Sequence, residues 1–228
     1  MLPKTEEWHA IVELPKMTCN HALPGVPHTL KAIRHELGLV LQERRKELIE
    51  GSSPAIEQYK WSKLPRPDVK QICEIGLNAG YSALMWLCAF EGAEYHSFDL
   101  ARYNTTLLAI DFLKRAFPGR FRVTVGNTQK TLKEVASAGG PGSKCDVMSI
   151  DGDHRYDGAR KDIENMRLLA RTLDRDSLVL MDDLQCAATW CAGPTDAWFH
   201  AKNVSGLVQE LGCDVVGCCA GWCWGHYL

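Results

Sequence analysis

Residues 73–82 read CEIGLNAGYS: a short apolar run closes on Glu74 and Gly76, turns through Gly80 and opens into the apolar stretch ALMWLCAF of residues 83–90. A strand entering a glycine-rich turn and leaving as a helix is the first half of a β-α-β unit. The same beat continues outward from it. Apolar runs at 71–75, 94–99, 121–125, 146–151 and 177–181 read as strands, and the segments near 80–90, 104–117, 128–138, 157–173 and 196–211 carry helical periodicity. In the fourth helix Ile163, Met166, Ala170 and Leu173 mark one apolar stripe. Five alternations of strand and helix predict an α/β fold, a doubly wound and mostly parallel sheet with right-handed crossovers and helices on both faces. The tail from Cys213, CDVVGCCAGWCWGHYL, holds two short runs broken at Ala220 and Gly221. It reads as a closing antiparallel hairpin, which brings the sheet to seven strands.

Residues 1–69 have a different texture. Scattered prolines fill the first 27 positions, and Leu30, Ile33, Leu37, Val40, Leu41 and Leu48 then recur at helical spacing before a break at Ser52, Ser53 and Pro54. Two units are expected: an N-terminal helical lid or interface segment over 1–69, and a sheet domain over 70–228.

Composition narrows the classes. The chain has 228 residues, 46% hydrophobic and 24% charged, which fits a globular domain and excludes collagen-like and disordered classes. A net charge of -2 supplies no basic excess, so nucleic acid and membrane surfaces are disfavoured as partners. The opening MLPKTEEWHA lacks a secretory pattern, and with it the ten cysteines read as reduced thiols of a cytoplasmic protein. Cys213, Cys218, Cys219 and Cys223 lack paired C-x-x-C spacing and read as small apolar strand residues rather than a zinc site.

The chemistry lies at the strand ends. Glycines after the first strand let a ligand approach the backbone at a helix N-terminus, although the spacing Glu-x-Gly-x-x-x-Gly is not the dinucleotide fingerprint. Asp99 closes the second strand in HSFDL, where an acid can accept from both ribose hydroxyls of a nucleoside; a helix cap is the plainer alternative. Asp151 and Asp153 end the fourth strand in DVMSIDGDHRY, and Asp182 and Asp183 end the fifth in LVLMDDL. Four acids at the carboxyl ends of neighbouring strands repel one another unless a proton or cation intervenes, and hard oxygen ligands suit Mg2+ or a similar ion. His154 stands at the mouth of the same crevice with the chemistry of a general base. Tyr81, Tyr156 and Trp190 are aromatic candidates for contacting a cofactor or acceptor.

CEIGLNAGYS, HSFDL, VTVGNTQKTL, DVMSIDGDHRY and LVLMDDL, in this order, resemble the motifs of class I S-adenosylmethionine-dependent methyltransferases. They are more narrowly similar to the metal-dependent O-methyltransferases that include the macrocin and aminocoumarin sugar enzymes and, more distantly, catechol O-methyltransferase. The resemblance runs from about Lys70 to the C-terminus and implies a Rossmann-like sheet. It implies that Glu74, Gly76, Asn78, Gly80, Tyr81, Ser82, Asp99, Asn127 and Asp151 surround S-adenosyl-L-methionine, and that Asp151, Asp182 and Asp183 hold Mg2+ or another divalent cation. Two departures stand out: the third motif has Asn127 where the family usually has an acid, and His154 replaces the lysine of the catechol enzymes. The general base is therefore either His154 or Asp153. The implied activity is methyl transfer to one hydroxyl of a vicinal pair on a small molecule. In related enzymes such N-terminal segments cover the acceptor pocket or build a homodimer, and the sequence does not choose. An NAD(P)-dependent oxidoreductase and a non-catalytic methyltransferase-like binding protein are the rival readings; the first lacks its G-x-G-x-x-G, and the second would be favoured by loss of the acids that are present here.

Overall fold

The computed structural model describes residues 57, 60–64, 68–140, 142–171, 177–216 and 220–228. Along the chain β1 (Gln71–Ile75), α1 (Tyr81–Ala89), β2 (Glu94–Asp99), α2 (Asn104–Ala116), β3 (Phe121–Val125), α3 (Thr128–Ala138), β4 (Val147–Ile150) and α4 (Tyr156–Met166) come first. A 3-10 turn (Arg167–Leu169), β5 (Leu178–Met181), a second 3-10 turn (Thr189–Cys191), α5 (Ala192–Asn203), β6 (Val208–Val216) and β7 (Ala220–Tyr227) complete it. The seven strands lie in the order β3-β2-β1-β4-β5-β7-β6. β1 to β5 pair in parallel, while β7 runs antiparallel to both β5 and β6. This is the Rossmann-like sheet with a closing hairpin expected from the sequence.

Every residue of β1, β4 and β5 is buried, as strands covered on both faces must be. Their alternating side chains divide the core. Ile72, Val147 and Leu180 join Leu84, Trp86, Phe112 and Leu113 of α1 and α2 on one face. Cys73, Met148 and Val179 join Leu132 of α3, Ile163 and Met166 of α4 and Trp198 of α5 on the other. Chain direction across the sheet reverses between β1 and β4, and the crevice at their carboxyl ends is where such sheets bind ligands.

Several boundaries differ from expectation. The fourth helix stops at Met166 and continues as a 3-10 turn, with Ile163, Met166 and Ala170 buried as anticipated; Leu173 lies outside the described residues. The last helix covers Ala192–Asn203 rather than 196–211, because Val208 already pairs with Tyr227 in the sheet. Ala220 and Gly221 lie inside β7 rather than at the hairpin break. The helix anticipated over Leu30 to Leu48 lies outside the described residues.

The cysteine reading is corrected. Cys73–Cys145, Cys186–Cys191 and Cys213–Cys223 are joined as disulfides. Cys213 and Cys223 face each other across β6 and β7, a juxtaposition that linear spacing could not reveal. Cysteine usage therefore gives no support to a reducing compartment. Glu210, Cys213 and Cys223 lie close enough to hold a metal, but sulfurs joined to each other are not thiolate ligands. No helix among the described residues is long and apolar enough to cross a membrane.

Candidate active site

A cavity of about 1140 Å³ opens at the carboxyl ends of β1, β2, β4 and β5. Its floor is the turn after β1. Gly76 takes φ 89°, and a Cβ there would sit 1.7 Å from the Asp151 carbonyl oxygen, so only glycine lets the turns after β1 and β4 pass this closely. Gly80, also left-handed at φ 80°, hands the chain to α1. Asp99 braces the turn: Oδ2 accepts from the backbone N–H of Leu77 at 2.7 Å and of Asn78 at 3.1 Å, and Oδ1 accepts from Ala101 at 2.6 Å. Oδ2 is thereby saturated, but Oδ1 keeps a further lone pair, so bracing and ligand binding are compatible.

Glu74 is buried beneath this turn. Its Oε2 accepts from Ser82 Oγ at 3.0 Å and from the Tyr95 hydroxyl, while Oε1 is buried with no hydrogen-bond partner among the described residues. Burial pushes its carboxyl up to about 8. Asn127 caps α3, its side chain accepting from Gln129 N at 2.9 Å, and lines the cavity edge. Gly76, Asn78, Gly80, Tyr81 and Ser82 line it as well, as does Trp190. Tyr156 does not; its hydroxyl meets His200 Nδ1 at 3.1 Å on α5.

The other wall is acidic. Ligand atoms of Asp151, His154 and Asp183 lie within 4.8 Å of one another. His154 Nε2 is 3.0 Å from Asp183 Oδ2 and 3.7 Å from Asp151 Oδ1. The Asp151 and Asp183 carboxylates push the imidazole up to about 10. Burial raises the carboxyls of Asp151 and Asp182, and neighbouring acids add to it: Asp183 for the first, Asp151, Glu57 and Asp183 for the second. Asp182 is buried and its Oδ1 accepts from Asp183 N at 2.8 Å, which helps hold Asp183 in a left-handed conformation at φ 58°. Asp153 is engaged differently. Its carboxylate takes the backbone N–H of Arg155 at 2.9 Å and a fork of guanidinium hydrogen bonds from the same residue, which lower its pKa.

Residues 73–184 match the family model described as "Methyltransferase domain". That segment, just under half of the chain, is thus similar to a methyltransferase domain. No match is found among curated protein sequences. Among solved structures, the O-methyltransferase from Bacillus cereus in complex with SAH is similar at 16% identity, covering 91% of this chain and 94% of that one with a TM-score of 0.66. SAH-bound methyltransferase PaMTH1 from Podospora anserina aligns over 100% and 98% of the two chains at 18% identity and TM-score 0.65. The O-methyltransferase TomG from Streptomyces achromogenes, in complex with SAM, covers 84% and 88% at 17% identity and TM-score 0.63.

The cradle fits the sulfonium nucleoside that such domains use. It offers a close backbone approach at Gly76, the Asp99 carboxylate at the same turn and a buried acceptor at Glu74 Oε1. The acid wall likewise fits a divalent cation, being built from hard oxygen donors with one neighbouring imidazole. Arg155, Asp162 and Glu57 also line the cavity and escaped sequence reading. Arg155 acts by holding Asp153. Asp162 lies under the β4 turn, where Thr128 Oγ1 donates to it at 2.6 Å and burial raises its carboxyl to about 6. Its sequence surroundings are those of an ordinary helix face. Glu57 is 1% exposed and lines the cavity from outside the matched segment. Burial first, then the charges of Asp183 and Asp151, push its carboxyl up to about 8. A lone acid before a proline-rich connector carries no sequence signal.

Proposed function

We propose that the chain is an S-adenosylmethionine-dependent O-methyltransferase that methylates one hydroxyl of a vicinal pair on a small molecule, assisted by a divalent cation. The observation that carries this reading is the opening of the glycine turn with Asp99, and of the Asp151, His154 and Asp183 group, onto one cavity. A donor and an acceptor held in the same crevice can be aligned for in-line transfer, and alignment supplies much of the acceleration.

Glu74, Gly76, Asn78, Gly80, Tyr81, Ser82, Asp99 and Asn127 would hold the cofactor. Asp151, Asp182 and Asp183 would hold the cation, whose charge, once bound, lowers the pKa of a hydroxyl brought to it. His154 is the better base of the two candidates. Asp153 is engaged by Arg155, which stabilises its charged form and weakens it as a proton acceptor. His154 releases its proton when Asp151 and Asp183 are engaged elsewhere, since these carboxylates otherwise keep it charged.

The test is transfer of labelled methyl from S-adenosylmethionine to a panel of catechols and vicinal diols, with Mg2+ and under strict chelation. Product that appears with Mg2+ and is lost on chelation is the expected result. A rate unchanged by chelation and by the double substitution Asp182→Ala, Asp183→Ala sinks the cation-assisted mechanism.

A further inference from the structure

Glu57 precedes the matched segment 73–184, yet it is enclosed with the acids of the active-site cavity. Among the described residues no donor reaches either of its carboxylate oxygens, both of which are buried. The group it meets is the Asp182 carboxylate, an acceptor like itself, with Asp151 and Asp183 also close enough to repel it. Two enclosed acceptors cannot rest against each other as anions unless a cation or a proton joins them.

Its position is fixed by packing. Glu57 and Trp61 are helical and one turn apart, so they share a face. Trp61 is 1% exposed and meets Trp222 of β7 edge-on, with ring centroids 6.3 Å apart. Lys60 pairs with Asp214 of β6 at 2.6 Å and lies 5.6 Å over the Trp222 ring. Docking this turn onto the hairpin therefore delivers Glu57 into the acid wall.

We infer that Glu57 is a further oxygen ligand of the divalent cation held between Asp151, Asp182 and Asp183, so that cation binding and docking of the residues around Trp61 favour each other. This rests on the reading of the acid wall as a cation site. The coupling is reciprocal by thermodynamic necessity.

The experiment is calorimetric titration of Mn2+ into the full chain and into its Glu57→Gln and Asp183→Asn variants, with neither cofactor nor acceptor present. Glu57→Gln keeps the shape and removes the charge; it is expected to weaken Mn2+ binding at least tenfold while S-adenosylhomocysteine still binds, showing that the variant is folded. Wild-type affinity in Glu57→Gln, with Asp183→Asn impaired, overturns the assignment and leaves the cation site standing, Glu57 then sharing a proton with Asp182. Unchanged affinity in both variants overturns the cation site itself. A second measurement needs no substitution at Glu57: Mn2+ is expected to slow tryptic cleavage after Lys60 and Lys63 in the wild-type chain and not in Asp183→Asn. Equal cleavage with and without bound Mn2+ overturns the coupling.

Discussion

Asp153 and His154 are neighbours in the chain and differ in what surrounds them. The Asp153 carboxylate is forked by Arg155, whereas His154 faces two carboxylates and the cavity. His154→Gln is expected to lower kcat at saturating acceptor by about 10² to 10⁴-fold, the usual range for loss of a general base, and Asp153→Asn by less than about tenfold. Reversed magnitudes would move the base to Asp153. The sequence offered both residues because each has the right chemistry at the right strand end. The choice needed Arg155, whose side chain turns back two residues in a way that no periodicity encodes. At Gly76 the case is opposite, since the residue type alone announced a close backbone approach and the Asp151 carbonyl oxygen is what it meets.

Elements are held in register by groups outside the catalytic motifs. Asp146, just before β4, accepts from the backbone N–H of Lys70 at 2.9 Å and of Gln71 at 2.8 Å at the start of β1, and pairs with Arg171 after the 3-10 turn. One buried carboxylate thus ties together the amino ends of two central strands. Asp146→Ala strands these buried donors and is expected to cost about 3 kcal/mol in urea unfolding with an unchanged m-value; a loss below about 1 kcal/mol would remove Asp146 from this role. The five parallel strands were legible because each is a short apolar run between turn signals. The end of α5 was not, because residues 204–211 carry a helix-compatible pattern that pairing with β7 overrides.

At the scale of the whole molecule, pH acts through a buried histidine that does not line the cavity. His96 stacks on Phe98 with ring centroids 4.4 Å apart and contacts Thr124 Oγ1 at 2.7 Å through Nε2. Burial, and then the Arg122 charge, lower its pKa from 6.5 to about 4. The unfolded chain therefore binds a proton that the folded chain refuses, and stability falls as pH drops from about 6.5 to about 4. Relative to a His96→Gln variant, the wild type is expected to lose up to about 3 kcal/mol across that window in chemical denaturation. Taking the difference cancels the opposite trend of Glu57, Glu74 and Asp162, whose raised values penalise the fold as pH rises. Parallel curves for the two proteins would show that His96 does not titrate in this way.

Alternating apolar runs, glycines at a strand end and acids after strands two, four and five determined by themselves the sheet and the glycine turn with its neighbouring acids at one end of it. These are local signals, set by backbone conformation and by hydrophobic period, and the chain writes them in consecutive residues. Tertiary structure alone decided which cysteines face each other, that Arg155 forks Asp153 while His154 faces Asp183, and that Glu57 enters the cavity. Each of these depends on side chains brought together across long stretches of chain or on the direction in which one turns. Trp61 illustrates the difference: its burial against Trp222, 161 positions away in a strand at the other end of the sequence, is what carries a distant acid to the site.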